Sequence, residues 1–135
     1  MTDPVPVSTD KSKIDLDALC GYLQGESYWA KSRSRDEIVR SVENSLCYSL
    51  LRGETFVGFA RVITDGVTFA YLCDVFVKTE LQRTRLGEAL LTAVVQDERL
   101  RGVPIFLMTK DAHGFYEKHG FASDDILKRI VMRRK

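Results

Sequence analysis

The spacing of apolar residues changes character along the chain, and each change marks a new element. Leu16, Leu19, Cys20 and Leu23 fall at i, i+3, i+4 and i+7, which puts them on one helical face. Asp15 and Asp17 stand at the start of this run, the end where aligned peptide dipoles favour negative charge. A first helix is therefore predicted, ending between Gly21 and Gly25. Ser34, Arg35, Asp36 and Glu37 then form a capping-box pattern, in which the Ser hydroxyl and the Glu carboxylate each accept from a backbone N–H that the helix leaves unpaired. Ile38, Val42 and Leu46 repeat every fourth residue, so a second helix is predicted over 35–44. The connection between the two helices, 26–31, carries Tyr28 and Trp29, the only Trp of the chain. Such an aromatic and polar loop suits a pocket wall. Pro4 and Pro6 hold the start extended, leaving 5–8 as either a short edge strand or a leader.

From Cys47 to Val77 the period drops to two, the signature of strands. Residues 47–51 and 56–63 read as strands joined by a turn at 52–54, and Asp65-Gly66 signals a tight hairpin before a long third run at 68–77. Strict alternation in that run puts Ala70, Leu72, Asp74 and Phe76 on one face and Phe69, Tyr71, Cys73, Val75 and Val77 on the other. Both sets are mainly apolar, so this strand is expected in mid-sheet with helices over both faces. Within 85–100, Leu86, Leu90, Ala93 and Val94 make a buried helical stripe, with Gln96, Asp97 and Arg101 turned to water. Gly102 and Pro104 close that helix, and 105–108 is a short buried strand; a strand–helix–strand connection implies parallel pairing. Asp111 starts a further short helix that Gly120 ends, and 126–132 reads as a last strand before a basic tail. The order is β-α-α-β-β-β-α-β-α-β, an α/β (α+β) fold built on a mixed, mostly antiparallel sheet.

Composition narrows the field. At 135 residues, 44% hydrophobic and 29% charged, the chain fits a single domain over 1–135. Twenty Lys and Arg against 19 Asp and Glu leave a net charge of +1, which supplies no global reason to bind nucleic acid or an anionic membrane. Any anion site has to be local. The longest apolar runs fall well short of the roughly 20 residues of a membrane span, and the polar, Pro-containing start lacks the core of a signal peptide; a cytoplasmic protein is expected. Cys20, Cys47 and Cys73 show no CxxC spacing and neither His113 nor His119 adjoins them, so neither a disulfide framework nor a metal site is expected.

The stretch that carries chemistry is 74–91, where a central strand passes through a polar turn into an amphipathic helix. The first turn of a helix presents unpaired N–H groups at the positive end of the macrodipole, a ready anion site, and Arg83 and Arg85 add charged donors beside it. On these residues alone, phosphate binding and a merely solvated turn stand as equal alternatives. Gln82-Arg-Thr-Arg85-Leu-Gly87 resembles the pyrophosphate-binding motif of the GNAT superfamily of N-acetyltransferases, Arg/Gln-x-x-Gly-x-Gly/Ala, except that Arg85 replaces the middle Gly. The stretch 109–121 is similar to the same family's Ala-x-x-x-Tyr-x-x-x-Gly-Phe signature, through Ala112, Tyr116, Gly120 and Phe121. More narrowly, the segments beginning at Ser27 and Gly58 resemble small single-domain, bacterial-type members. The likeness covers nearly the whole chain.

The resemblance implies a wedge between splayed parallel fourth and fifth strands that admits acetyl-CoA as co-substrate. Its pantetheine arm would pair with main chain at Val75, Phe76 and Val77. Its diphosphate would lie over Gln82, Arg83, Thr84, Arg85, Leu86, Gly87 and Glu88. The implied reaction is direct attack of a primary amine, on a small molecule or a protein, on the thioester carbonyl, with a backbone N–H near Asp74 stabilising the oxyanion. By the same likeness Tyr116 donates a hydrogen bond or proton to the departing thiolate. Asp74, a carboxylate between Leu72 and Phe76, is the first candidate for a base, with a structural, hydrogen-bonded carboxylate as the alternative. Glu26 and His113 follow as candidates, while His119 is expected to be merely exposed. Cys73 is a poor nucleophile, because no His is placed to activate it. Glu26, Tyr28 and Trp29 are the expected acceptor wall. A rival reading, prompted by Arg85, is a GNAT-shaped module that binds CoA for regulation without turnover. Oligomeric state, monomer or homodimer, is left open.

Overall fold

A computed structural model describes residues 6–82, 85–123 and 132–134. The expected last strand at 126–132 and the motif residues Arg83 and Thr84 lie outside the described residues or almost entirely so. Among the described residues five strands form one sheet in the order β1-β2-β3-β4-β5: β1 (Val7–Ser8), β2 (Leu46–Arg52), β3 (Thr55–Thr64), β4 (Ala70–Val77) and β5 (Ile105–Leu107). The first three pairings are antiparallel and β4 with β5 is parallel. Val7–Ser8, directly after Pro6, is thus an edge strand, the place in a sheet where a neighbouring Pro is tolerated.

Helices cover both faces. On one, α1 (Leu16–Gly25) and α2 (Arg35–Glu43) close a core that includes Leu19, Leu23, Ile38, Phe59 and Phe76. On the other, α3 (Leu86–Val95) packs Leu90, Leu91 and Val94 on Tyr48, Leu50, Val62 and Leu72. The capping box forms as expected, Ser34 Oγ accepting from the Glu37 amide at 3.1 Å and Glu37 Oε1 from the Ser34 amide at 2.9 Å. A short α4 (His113–Glu117) follows β5, and Gly120 ends its turn at φ +91°. Among the described residues no helix is long and apolar enough to cross a membrane.

Two expectations need correcting. First, α3 stops at Val95, and Asp97 is not simply solvated: it accepts from the buried Tyr48 hydroxyl at 2.6 Å and pairs with Arg99 at 2.7 Å. Second, β4 does not alternate strictly. Phe59 pairs with Phe76 and Arg61 with Cys73, so Asp74 and Val75 together face Ala60 alone, a β-bulge. Asp74 carries it at φ +52°, a region that Asp tolerates better than most residues. The extra residue reverses the faces: Ala70 and Leu72 belong to the α3 side, whereas Phe76 belongs to the α1–α2 side and Val75 and Val77 return to α3. A period-two pattern carries no mark of such an insertion.

Candidate active site

β5 pairs with β4 only at Ala70, Leu72 and the residue between them, Tyr71. Beyond that point β4 runs on to Val77 with β3 on one side and, among the described residues, no strand on the other. Lys78 donates to the Val57 carbonyl at 2.8 Å, so by strand alternation the polar groups of Phe76 also point to β3, while those of Val75 and Val77 point to the open edge. Gln82 bears this out, its Nε2 donating to the Val77 carbonyl at 3.1 Å. Of the expected main-chain partners, then, Val75 and Val77 present donors at the opening and Phe76 does not. The Phe76 ring stacks instead on Tyr22, with centroids 3.8 Å apart.

Past the strand, the chain turns into α3. Arg85 stands at its N-cap with φ −82° and puts no side-chain hydrogen bond on the first turn. The residue where the motif has its middle Gly therefore sits in ordinary backbone with an exposed side chain, and the change from Gly brings no backbone strain. Gly87 lies where an added Cβ would meet Phe115 at 3.5 Å and Val77 at 3.9 Å, ordinary contacts, so the helix start sits beside β4 and α4 with room for a methyl group at this position. Gln82 braces the strand end, and Leu86 and Glu88 are half-buried in the first turn.

A cavity of about 640 Å³ opens at the bulge, lined by Tyr28, Trp29, Arg33, Asp74, Val75 and Tyr116 among others. Tyr116, half-buried, makes no hydrogen bond through its hydroxyl among the described residues. Burial, with a smaller effect from Tyr28, pushes its pKa up to about 12, so it is a proton-bearing donor throughout the physiological range. Cys73 also lines the cavity, and burial raises its thiol to about 11, which leaves it protonated and unsuited to attack.

Asp74 is the hub of the wall. Arg33 Nη1 donates to Oδ1 at 3.0 Å and to Oδ2 at 2.8 Å, Arg61 Nε to Oδ2 at 2.9 Å, and Trp29 Nε1 to Oδ1 at 2.9 Å. Burial alone would raise its pKa, but Arg61 and then Arg33, by charge and by hydrogen bond, hold it below its ordinary value. A carboxylate so occupied is a poor proton acceptor. The expectation of Asp74 as base gives way to the structural alternative: it ties the α1–α2 loop to the bulge. Ser27 fixes the same loop from within, its Oγ donating to the Leu23 carbonyl at 2.7 Å and accepting from the Ala30 amide at 3.1 Å.

The remaining candidates separate. Tyr28 and Trp29 meet edge to face at 5.0 Å in the cavity wall, but Glu26 lies apart from them, in a second cleft of about 430 Å³ with Tyr22, Phe76 and Lys78. His113 is exposed, and His119, expected to be exposed, is half-buried with its ring 5.3 Å from Phe115. Arg33 and Arg61 escaped the sequence reading as site residues. Arg61 had a signal, a lone charge inside the apolar run 56–63; Arg33, in a polar loop, had none.

The profile of the acetyltransferase (GNAT) domain matches residues 43–123. A Gibberella zeae protein assigned as an acetyltransferase is 31% identical over 136 aligned positions, covering 84% of this chain and 76% of its own length. GCN5-related N-acetyltransferase 1 of Arabidopsis thaliana, a chloroplast protein, is 35% identical over 82, with 58% of this chain and 42% of that protein covered. The crystal structure of a GNAT-family protein of Xanthomonas campestris pv. campestris superimposes with a TM-score of 0.93 at 36% identity, covering 100% of this chain and 95% of that one. With the domain profile, the relative matched over most of both chains and the superposition in agreement, the chain belongs to the GNAT family of acetyltransferases.

Proposed function

We propose that this protein moves the acetyl group of acetyl-CoA to a primary amine by direct attack, in the cavity at the β4 bulge. The observation that carries the reading is the edge of β4 past Leu72, which no described strand covers and which runs from the wall of a cavity that also holds Tyr116 to the first turn of α3. These features fit the co-substrate: an extended amide-bearing arm pairs with an unpaired strand edge, and a diphosphate with the first turn of a helix. Val75 and Val77 would hold the arm through main chain, and the amides at Gly87 and Glu88 the phosphates. When bound, acetyl-CoA supplies an activated acyl group and a thiolate leaving group. The Val75 N–H, pointing into the opening at the bulge, stabilises charge that grows on the carbonyl oxygen. Tyr116 holds its proton toward the sulfur; a phenol at about 12 facing a thiol near 8.5 gives a hydrogen bond more readily than a full proton. With Asp74 engaged, the attacking amine loses its proton to solvent before it reacts.

Engagement of Asp74 also favours a second reading, a CoA-binding module without turnover. Release of free thiol from acetyl-CoA across a panel of primary amines separates the two. Amine-dependent release supports transfer, and acetyl-CoA binding with no release from any amine supports the module.

A further inference from the structure

The charge of the cavity narrows the acceptor, an inference that rests on the transfer reading above. Among the described residues four basic side chains line it, Arg33, Arg61, Lys110 and Arg133, against two acidic ones, Asp74 and Asp111. The one negative charge of Asp74 is shared by two guanidiniums, so this buried group alone is left with a net positive charge. Such an excess close to the reacting atoms repels a simple polyamine and attracts an anion.

Arg33 shows where the anion would sit. It spends a single terminal nitrogen on Asp74, bonding both carboxylate oxygens with Nη1. Its Nε and second terminal nitrogen hold no hydrogen bond among the described residues, and its side chain is 29% exposed in the cavity wall. A guanidinium pinned along one edge and open along another is pre-organised for a planar anion, which it takes through two parallel N–H donors. The phosphates of the donor do not answer this need, because none of the described motif residues, Gln82 and 85–88, lines the cavity. Lys110, 5.4 Å over the Tyr28 ring, adds positive charge to the same wall.

We propose that the acceptor is an amine carrying its own carboxylate, an amino acid, whose carboxylate docks on the open edge of Arg33 while its amino group reaches the acetyl carbon.

The test uses two readouts on the intact chain. In the first, thiol release is compared among leucine, leucinamide and isoamylamine, and among phenylalanine, its amide and phenethylamine, each corrected for the fraction of neutral amine. The expected result is a kcat/KM at least tenfold higher for each amino acid. In Arg33→Gln the preference collapses through KM, and Arg33→Lys recovers part of it. In the second, the fluorescence of Trp29, the only Trp, follows titration of the wild-type protein with N-acetylleucine and N-acetylleucinamide. Tighter binding of the acid by tenfold or more is expected, and this readout needs neither turnover nor a folded variant. Equal or better use of the amines and amides, or equal binding of the two N-acetyl compounds, overturns the proposal and leaves transfer standing. Thiol release from no amine of either class, with acetyl-CoA bound, overturns the transfer reading itself.

Discussion

At the scale of the residue, Tyr116 and Gly58 show how differently two positions answer to change. Tyr116 has a phenol raised by burial to about 12 and no hydrogen-bond partner among the described residues. Tyr116→Phe keeps the ring contacts with Phe115 and Phe121 and removes only the donor. It should lower kcat about 100-fold, at the low end of what a positioned acid supplies, with acetyl-CoA affinity unchanged by calorimetry; equal kcat would remove the role. Because the group stays protonated to about pH 12 and no free buried base adjoins it among the described residues, the rate of the wild-type protein should rise with pH along the titration of the acceptor amine. A pH–rate profile with an extra limb in the carboxylate range would contradict this. At Gly58 the constraint is steric. A Cβ there would lie 2.8 Å from the Phe76 carbonyl oxygen and 3.0 Å from Leu50 Cδ2, and the obstructing backbone is that of β4 beside the site. Gly58→Ala should cost about 1–3 kcal/mol, read from urea denaturation; a neutral variant would show that β3 and β4 can part freely.

At the scale of the element, the bulged end of β4 and the α1–α2 loop act as one unit through Asp74. Removing its charge leaves two guanidiniums facing each other, 8% and 29% exposed. Asp74→Asn should therefore destabilise the fold by about 3 kcal/mol. The pH dependence has a definite sign. The folded carboxyl titrates below its ordinary value of 3.8, so its contribution is present above that value and lost as pH falls further. Thermal denaturation from pH 6 down to 2 should show the variant losing less stability than wild type below about pH 4; parallel curves would deny the coupling. This unit also marks what could be read from sequence. The helices, their capping box and the strand order were legible because each is a local pattern of period or cap. The bulge was not, since period two places Asp74 with Leu72 and Phe76 and contains no sign that one residue is extra. Tyr116 and Gln82 were legible only through motif likeness, and Arg33, which completes the Asp74 cluster, had no local signal. Long-range pairing of charges 41 positions apart is decided by the fold.

At the scale of the whole molecule, the described sheet, covered on both faces, has an opening where β5 ends and β4 continues. In the proposed reading that opening joins the cavity at one end to the start of α3 at the other, and elements far apart in the chain form one elongated receptor. The near-zero net charge means that affinity for an anionic co-substrate has to come from this receptor, not from the field of the molecule. Calorimetric titration with acetyl-CoA and with S-acetylpantetheine, which lacks the phosphates, tests that claim most directly. Saturable binding of acetyl-CoA is predicted, at least about tenfold tighter than the truncated thioester, because only the former reaches the helix start. No heat from acetyl-CoA up to about 1 mM, the range of a binding free energy near −4 kcal/mol, would contradict the account.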